Sequence, residues 1–143
     1  MSTRAQVACI ENNVPLYLYQ HCDGYDVPME VQNALKAAPD RWNDSTYLNR
    51  VIFSYMIMNG TYVSYDGKAV NPLETTTGYG ISLTPCENAY HLIVLDHDHM
   101  RIGFMEGMEY DASKLEEVKW YTYKEYTKLS HNDLKRAYGM NID

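Results

Sequence analysis

The chain has 143 residues, 45% of them hydrophobic and 22% charged, with a net charge of −7. That length is the ordinary size of one domain and buries enough surface for a core without disulfides or a structural metal. The acidic balance, with no long Lys/Arg run, excludes a protein that coats DNA through backbone charge, and no stretch approaches the ~20 apolar residues of a membrane-spanning helix.

Thr3–Ile10 and Val14–Gln20 are β-prone runs separated by Glu11-Asn12-Asn13. Asparagine tolerates positive φ, so the pair predicts a hairpin. In the second run Leu16 and Leu18 alternate with Tyr17 and Tyr19, which predicts one core-facing side and one side presenting tyrosine rings. His21-Cys22-Asp23-Gly24-Tyr25 ends the hairpin. Asp26 is a candidate helix cap, Pro28 suits the first turn, and Val31, Leu35 and Ala38 follow at helical spacing up to Pro39-Asp40. Asp44 is a second candidate cap, for a helix through Met58 whose apolar face holds Leu48, Val51, Ile52, Tyr55 and Met58, with Asn59-Gly60 as its stop.

Thr61–Thr84 reads as short strands and turns, with an Asp66-Gly67 turn and a polar loop at Thr75–Gly80. Tyr90–Leu95 and Met100–Met105 flank Asp96-His97-Asp98-His99 as an antiparallel hairpin, and Lys119–Tyr123 adds a further strand. Ser130 with Asp133 has the spacing of a capping box, with Lys135 and Arg136 toward the negative end of that last helix and Gly139 to end it. There is no repeat, low-complexity tract or linker. The expected architecture is one α+β domain over residues 1–143, an antiparallel sheet with two or three helices packed on one face.

Three groups of residues can carry chemistry. In the pentapeptide, a tight turn at Gly24 brings His21, Asp23 and Tyr25 together, so that Asp23 orients the imidazole and Tyr25 supplies a hydroxyl or a stacking face; the plain alternative is a turn. Asp96-His97-Asp98-His99, with His91 upstream, has metal-ligand residue types, but metal sites draw three or four ligands from separate elements, and a polar hairpin tip explains the tetrapeptide better. The Thr75–Gly80 loop offers hydroxyls and backbone N–H groups to phosphate oxygens without the spacing or the lysine of a P-loop. No Gly-x-Ser-x-Gly elbow and no His-x-Thr/Ser pair is present, and no cofactor is expected. Cys9, Cys22 and Cys86 are odd in number and far apart, which argues against a disulfide framework and against a Cys-x-x-Cys zinc site. Together with an N-terminus that lacks the apolar core of a secretory signal, they make the cytoplasm the expected compartment.

Read together, Met1-Ser2-Thr3-Arg4-Ala5, the strand Leu16-Tyr17-Leu18-Tyr19-Gln20 and His21-Cys22-Asp23-Gly24-Tyr25 resemble the opening of a family of small, mostly uncharacterised phage and prophage proteins. These carry a Thr-Arg element, a Tyr-rich strand and His-x-Asp-Gly-Tyr, usually followed by Pro. Asp26 stands at that Pro position here, and the likeness covers about the first quarter of the chain. The resemblance implies a counter-defence protein of the host cytoplasm that sequesters a nucleotide-derived immune signal of the Thoeris or CBASS kind. The 14 tyrosines against 2 Phe and 2 Trp suit base stacking, and Arg4 suits a phosphate. The expected ligand site is Arg4, Tyr19, His21, Asp23, Gly24, Tyr25, Thr76, Thr77 and Tyr79. Two alternatives are a phosphodiesterase or other hydrolase using His21 and Asp23 as base and orienting partner, and a protein-binding inhibitor of a host factor. Tyr-rich strands pairing across a two-fold axis would give a homo-oligomer.

Overall fold

Two asparagines set the first hairpin. In the computed structural model, which describes residues 3–58, 62–63, 66–89 and 91–138, β1 (Ala5–Glu11) and β2 (Val14–Gln20) pair antiparallel from Ala5 opposite Gln20 to Glu11 opposite Val14. Asn12 and Asn13 between them have φ of 53° and 62°, the left-handed pair that a two-residue hairpin turn of matching twist requires. Their backbone N–H groups both donate to the Asp98 carboxylate, at 2.8 and 3.0 Å, which pins this turn to another one beside it.

The chain then passes through a 3-10 turn (Gly24–Asp26) into α1 (Val27–Ala37), with Pro28 in the first turn as its missing N–H favours. Asp26 does not cap α1 with its side chain. The 3-10 turn already holds Asp26 at helical φ and ψ, whereas a capping side chain reaches back from an extended backbone. Asp44 does cap α2 (Ser45–Met58): its Oδ1 accepts from the Tyr47 N–H and its carbonyl from the Leu48 N–H. The expected stops at Asn59-Gly60 and Gly139, and the expected strand start at Tyr90, lie outside the described residues.

β3 (Tyr62–Val63) and β4 (Ala69–Val70) form a small separate ladder. β5 (Tyr79–Ser82) takes up the end of the polar loop, and β6 (His91–Asp96) and β7 (Arg101–Glu106) form the second hairpin. The strand expected at Lys119–Tyr123 is only β8 (Tyr121–Thr122), because Thr122 and Glu125 make a reciprocal capping box that starts α3 (Tyr123–Thr127). Ser130 and Asp133 make the same box at α4 (His131–Ala137).

The fold is α+β. The strands run in the order β5-β2-β1-β6-β7-β8, antiparallel throughout except for the parallel pair β1–β6. A parallel pair needs a long crossover, and here the helices supply it. On one face Val7, Cys9, Leu18, Ile93 and Leu95 pack against Val31 and Leu35 of α1, Leu48, Ile52 and Met56 of α2, and Tyr126 and Leu134 of α3 and α4. Gln32 fastens α1 to the C-terminal part by donating to the carbonyls of Tyr126 and Leu129, at 3.0 and 2.7 Å.

The other face is not open. Ala8, Ile10, Tyr17, Leu92, Val94 and Met105 lie under the segment 107–120, with Leu115, Val118 and Trp120 packed on them. A Cβ at Gly103 would run into Val118 and the Lys119 carbonyl, so the close passage of this segment depends on that glycine. Tyr17, expected to present its ring, is buried at 2% exposure, and its hydroxyl accepts from the Tyr110 N–H at 2.9 Å. A strand covered on both faces buries both sets of its alternating side chains, and a tyrosine suits such a place when its hydroxyl finds a partner.

Gln6, in the middle of the sheet, is fully buried. Its Nε2 donates to the carbonyls of Ala89 (3.3 Å) and Met108 (2.9 Å), and its Oε1 accepts from the Cys86 N–H (2.8 Å). Gln6→Leu keeps the volume but leaves those backbone groups buried without their partner. It is expected to lower unfolding free energy by about 2–4 kcal/mol, read as a shift of the urea midpoint.

Candidate functional site

The sheet register brings the separated motifs to one rim. Tyr79, Gln20, Ala5, His91 and Glu106 lie side by side across five strands as successive pairing partners. Arg4, the pentapeptide and Gly78 adjoin this row. The His21 N–H donates to the Gly78 carbonyl at 2.9 Å, tying the threonine loop to the pentapeptide.

Within the pentapeptide the backbone demands fall differently from the sequence expectation. Asp23 takes the left-handed conformation, with φ 57° and ψ 36°, which aspartate tolerates through local hydrogen bonding. Gly24 is needed for space: its N–H donates to the Thr3 carbonyl at 2.9 Å, and a Cβ there would stand 2.8 Å from that oxygen. The 3-10 turn thus crosses directly over the start of β1 and throws Tyr25 toward β6.

The expected site residues divide between the two faces of the rim. Arg4, Tyr19 and His21 share the face covered by the loops: Arg4 Nη1 reaches the Glu87 carbonyl at 3.4 Å, and the Tyr19 hydroxyl lies 2.7 Å from His21 Nδ1. Burial pushes the Tyr19 phenol pKa up while Arg4 beside it pulls it down. Tyr25 instead joins the helix face, edge-on to His91 with centroids 5.0 Å apart. Thr77 and Tyr79 line a groove beside α2, with Phe53 and Ile57, and Thr76 is exposed in the loop before β5. Among the described contacts, the His21 imidazole is held by Tyr19 rather than by Asp23.

A larger opening is built from residues outside the expected ligand site. A groove of about 700 Å³ runs along the part of β7 that lies beyond the two-residue pairing with β8. Its aromatic wall is His91 stacked on Tyr138 (4.8 Å, 22° between planes), with the Phe104 ring 5.4 Å from Tyr138. Glu106 from β7 and Lys114 and Glu117 from the 3-10 turn Ala112–Glu117 supply the charges. Burial holds the His91 imidazole below the usual histidine range. It raises the Tyr138 phenol well above its ordinary value, with Tyr25 and Glu30 adding to the effect. The chemistry is that of an aromatic platform flanked by one cation and two carboxylates. In the sequence His91 stands out only as a metal-ligand residue type upstream of the Asp-His tetrapeptide; its stacking partner Tyr138 arrives by tertiary packing.

At the opposite end of the sheet the Asp-His tetrapeptide closes the β6–β7 hairpin. Asp96 Oδ2 accepts from Arg101 Nε at 2.8 Å and lies 2.9 Å from His99 Nδ1. The Arg101 guanidinium also lies 4.0 Å above the Trp120 ring. His97 Nε2 lies 2.6 Å from Asn49 Oδ1. Among the described residues no group of three or more His, Cys, Asp or Glu is arranged to hold a metal ion, and no helix is long and apolar enough to cross a membrane.

No family model, curated protein or solved structure matches this chain, so its functional reading rests on its own residues.

His97 and His91 both have imidazoles held below the ordinary value of 6.5, burial being the first cause in each. The unfolded chain therefore takes up protons below about pH 6.5 that the native state resists, and stability falls as the pH drops through that region. The carboxylates Asp98, Asp111, Glu125 and Asp133 have lowered values and act in a more acidic window. The urea midpoint is expected to decline between about pH 7.5 and 5.5, and His97→Gln to flatten that decline.

Proposed function

We propose that this chain binds and holds a small nucleotide-derived signal, as its phage-like opening implies, and does not turn it over. The observation that supports this reading best is the groove at the sheet rim, lined by His91, Phe104 and Tyr138 together with Lys114. Aromatic faces stack on a base, Lys114 pairs with a phosphate, and Glu106 and Glu117 accept from ribose hydroxyls or exocyclic amines. The volume of about 700 Å³ falls within the range of small-molecule sites. Retention rather than hydrolysis is favoured by the pentapeptide itself: His21 Nδ1 lies 2.7 Å from the Tyr19 hydroxyl, so the imidazole is oriented by a phenol and not by Asp23 as the hydrolase alternative uses it. In this reading the protein acts in the host cytoplasm as a counter-defence sponge.

Calorimetry against cyclic dinucleotides, cyclic trinucleotides and ADP-ribose derivatives tests the reading. At least one is expected to give saturable heat at one site and to be recovered chemically intact when the protein is denatured. Lys114→Ala and Tyr25→Ala are each expected to weaken that binding about tenfold, or ~1.4 kcal/mol. Absence of heat across the panel contradicts sequestration, and recovery of a cleaved product favours the hydrolase.

A further inference from the structure

We infer that the rim groove is one half of a longer site, and that its ligand is a dinucleotide whose second phosphate is held by Lys119 and Arg136. The inference rests on the sequestration reading and narrows its ligand class.

A second groove, of about 480 Å³, adjoins the first, since Phe104 of β7 and Ala137 of α4 line both. Lys119, Tyr121, Leu129, Asp133 and Arg136 complete its lining. The aromatic wall continues from one groove into the other through ring contacts. Beyond His91, Tyr138 and Phe104, the Phe104 ring lies 6.2 Å from Tyr126, and Tyr126 lies 6.3 Å from Tyr121. Each groove therefore has an aromatic surface of its own on which a base can stack, His91 with Tyr138 in the first and Tyr121 in the second. Lys119 Nζ lies 5.4 Å from the Tyr121 ring centroid, so cation and stacking surface lie together there.

Charge separates the two halves. The first groove sets Lys114 against Glu106 and Glu117. The second reverses the balance, with Lys119 and Arg136 against Asp133. Asp133 is committed elsewhere: its Oδ2 accepts from the Ser130 N–H at 3.3 Å in the capping box of α4. Its Oδ1 stands 3.9 Å from Arg136 Nη1, and at 66% and 52% side-chain exposure such a pair holds weakly. The guanidinium can therefore turn its fork to a phosphate. Six of the chain's 12 Lys and Arg fall between 114 and 136, with four carboxylates, whereas the whole chain has 12 against 19. In an acidic protein this stretch is where an anion is drawn. A mononucleotide at Lys114 would leave the cations of the second groove unused. A ligand of two nucleotide units, its phosphates set apart by a sugar, meets both.

Calorimetry on the intact protein compares cyclic di-AMP and cyclic di-GMP with AMP and GMP. One cyclic dinucleotide is expected to bind at least about tenfold tighter than its mononucleotide. Lys119→Ala and Arg136→Ala are each expected to weaken it about tenfold, and Arg136→Lys to weaken it less than Arg136→Ala. Lys128→Ala, in the same basic stretch but lining neither groove, is expected to leave the affinity unchanged. All three positions are exposed, and far-UV circular dichroism verifies that each variant is folded. A dinucleotide that binds no tighter than its half, that survives both Lys119→Ala and Arg136→Ala, or that Lys128→Ala weakens equally overturns the second subsite. Absence of binding by both dinucleotides overturns it too, and the sequestration reading falls with it only if ADP-ribose derivatives and the cyclic trinucleotides also give no heat.

Discussion

The Gln6 amide makes its hydrogen bonds from the centre of the sheet to two peptide segments that pass over it, one on the way into β6 and one on the way out of β7. Its Nε2 holds the carbonyls of Ala89 and Met108, and its Oε1 holds the N–H of Cys86. The strand that carries it is buried from Ala5 to Ile10 and pairs on both sides, antiparallel to β2 and parallel to β6. A polar side chain placed there is tolerable only when fully satisfied. Its satisfaction fixes where the chain enters β6 and where it leaves β7. Those two points are His91 and Glu106, opposite one another at the rim. The central strand and its one glutamine therefore determine the geometry of the groove, although Gln6 does not line it.

The rim itself follows from the parallel pairing. Because β1 and β6 start side by side, residues at the start of each strand are neighbours despite the length of chain between them. Gly24 adds the last element by letting the 3-10 turn cross over Thr3, which carries Tyr25 to His91. The result is an aromatic cluster of Tyr25, His91 and Tyr138 drawn from three distant segments. The three rings come from the 3-10 turn, the start of β6 and the end of α4, so no single loop carries the cluster.

What was legible in the sequence was local. The Asn12-Asn13 turn, the Asp44 cap, Pro28 in the first turn and the Ser130/Asp133 capping box are decided by residues within four positions of one another, and all four are in the structure. The Thr122/Glu125 box is equally local, but the β-prone run before it masked it as a strand. Burial of Tyr17 and the one parallel strand pair were not legible, since both depend on which distant segment covers which face. The candidate site divides in the same way. The pentapeptide stands out in the sequence, and Tyr25 lies at the rim's aromatic cluster, yet Arg4, Tyr19 and His21 share the opposite face of the sheet, and Thr77 and Tyr79 turn toward α2. Lys114 and Tyr138 carry no local signal at all.

The central claim is that the rim bearing His91, and not the hairpin tip bearing His97 and His99, is the binding surface. The chain has 5 histidines, so an NMR titration of ring-labelled protein with the nucleotide panel reads all of them at once. The account predicts that the His91 ring resonances move on saturation while those of His97 and His99 stay in place. Shifts confined to His97 and His99, or an unmoved His91 with a ligand that demonstrably binds, would contradict it.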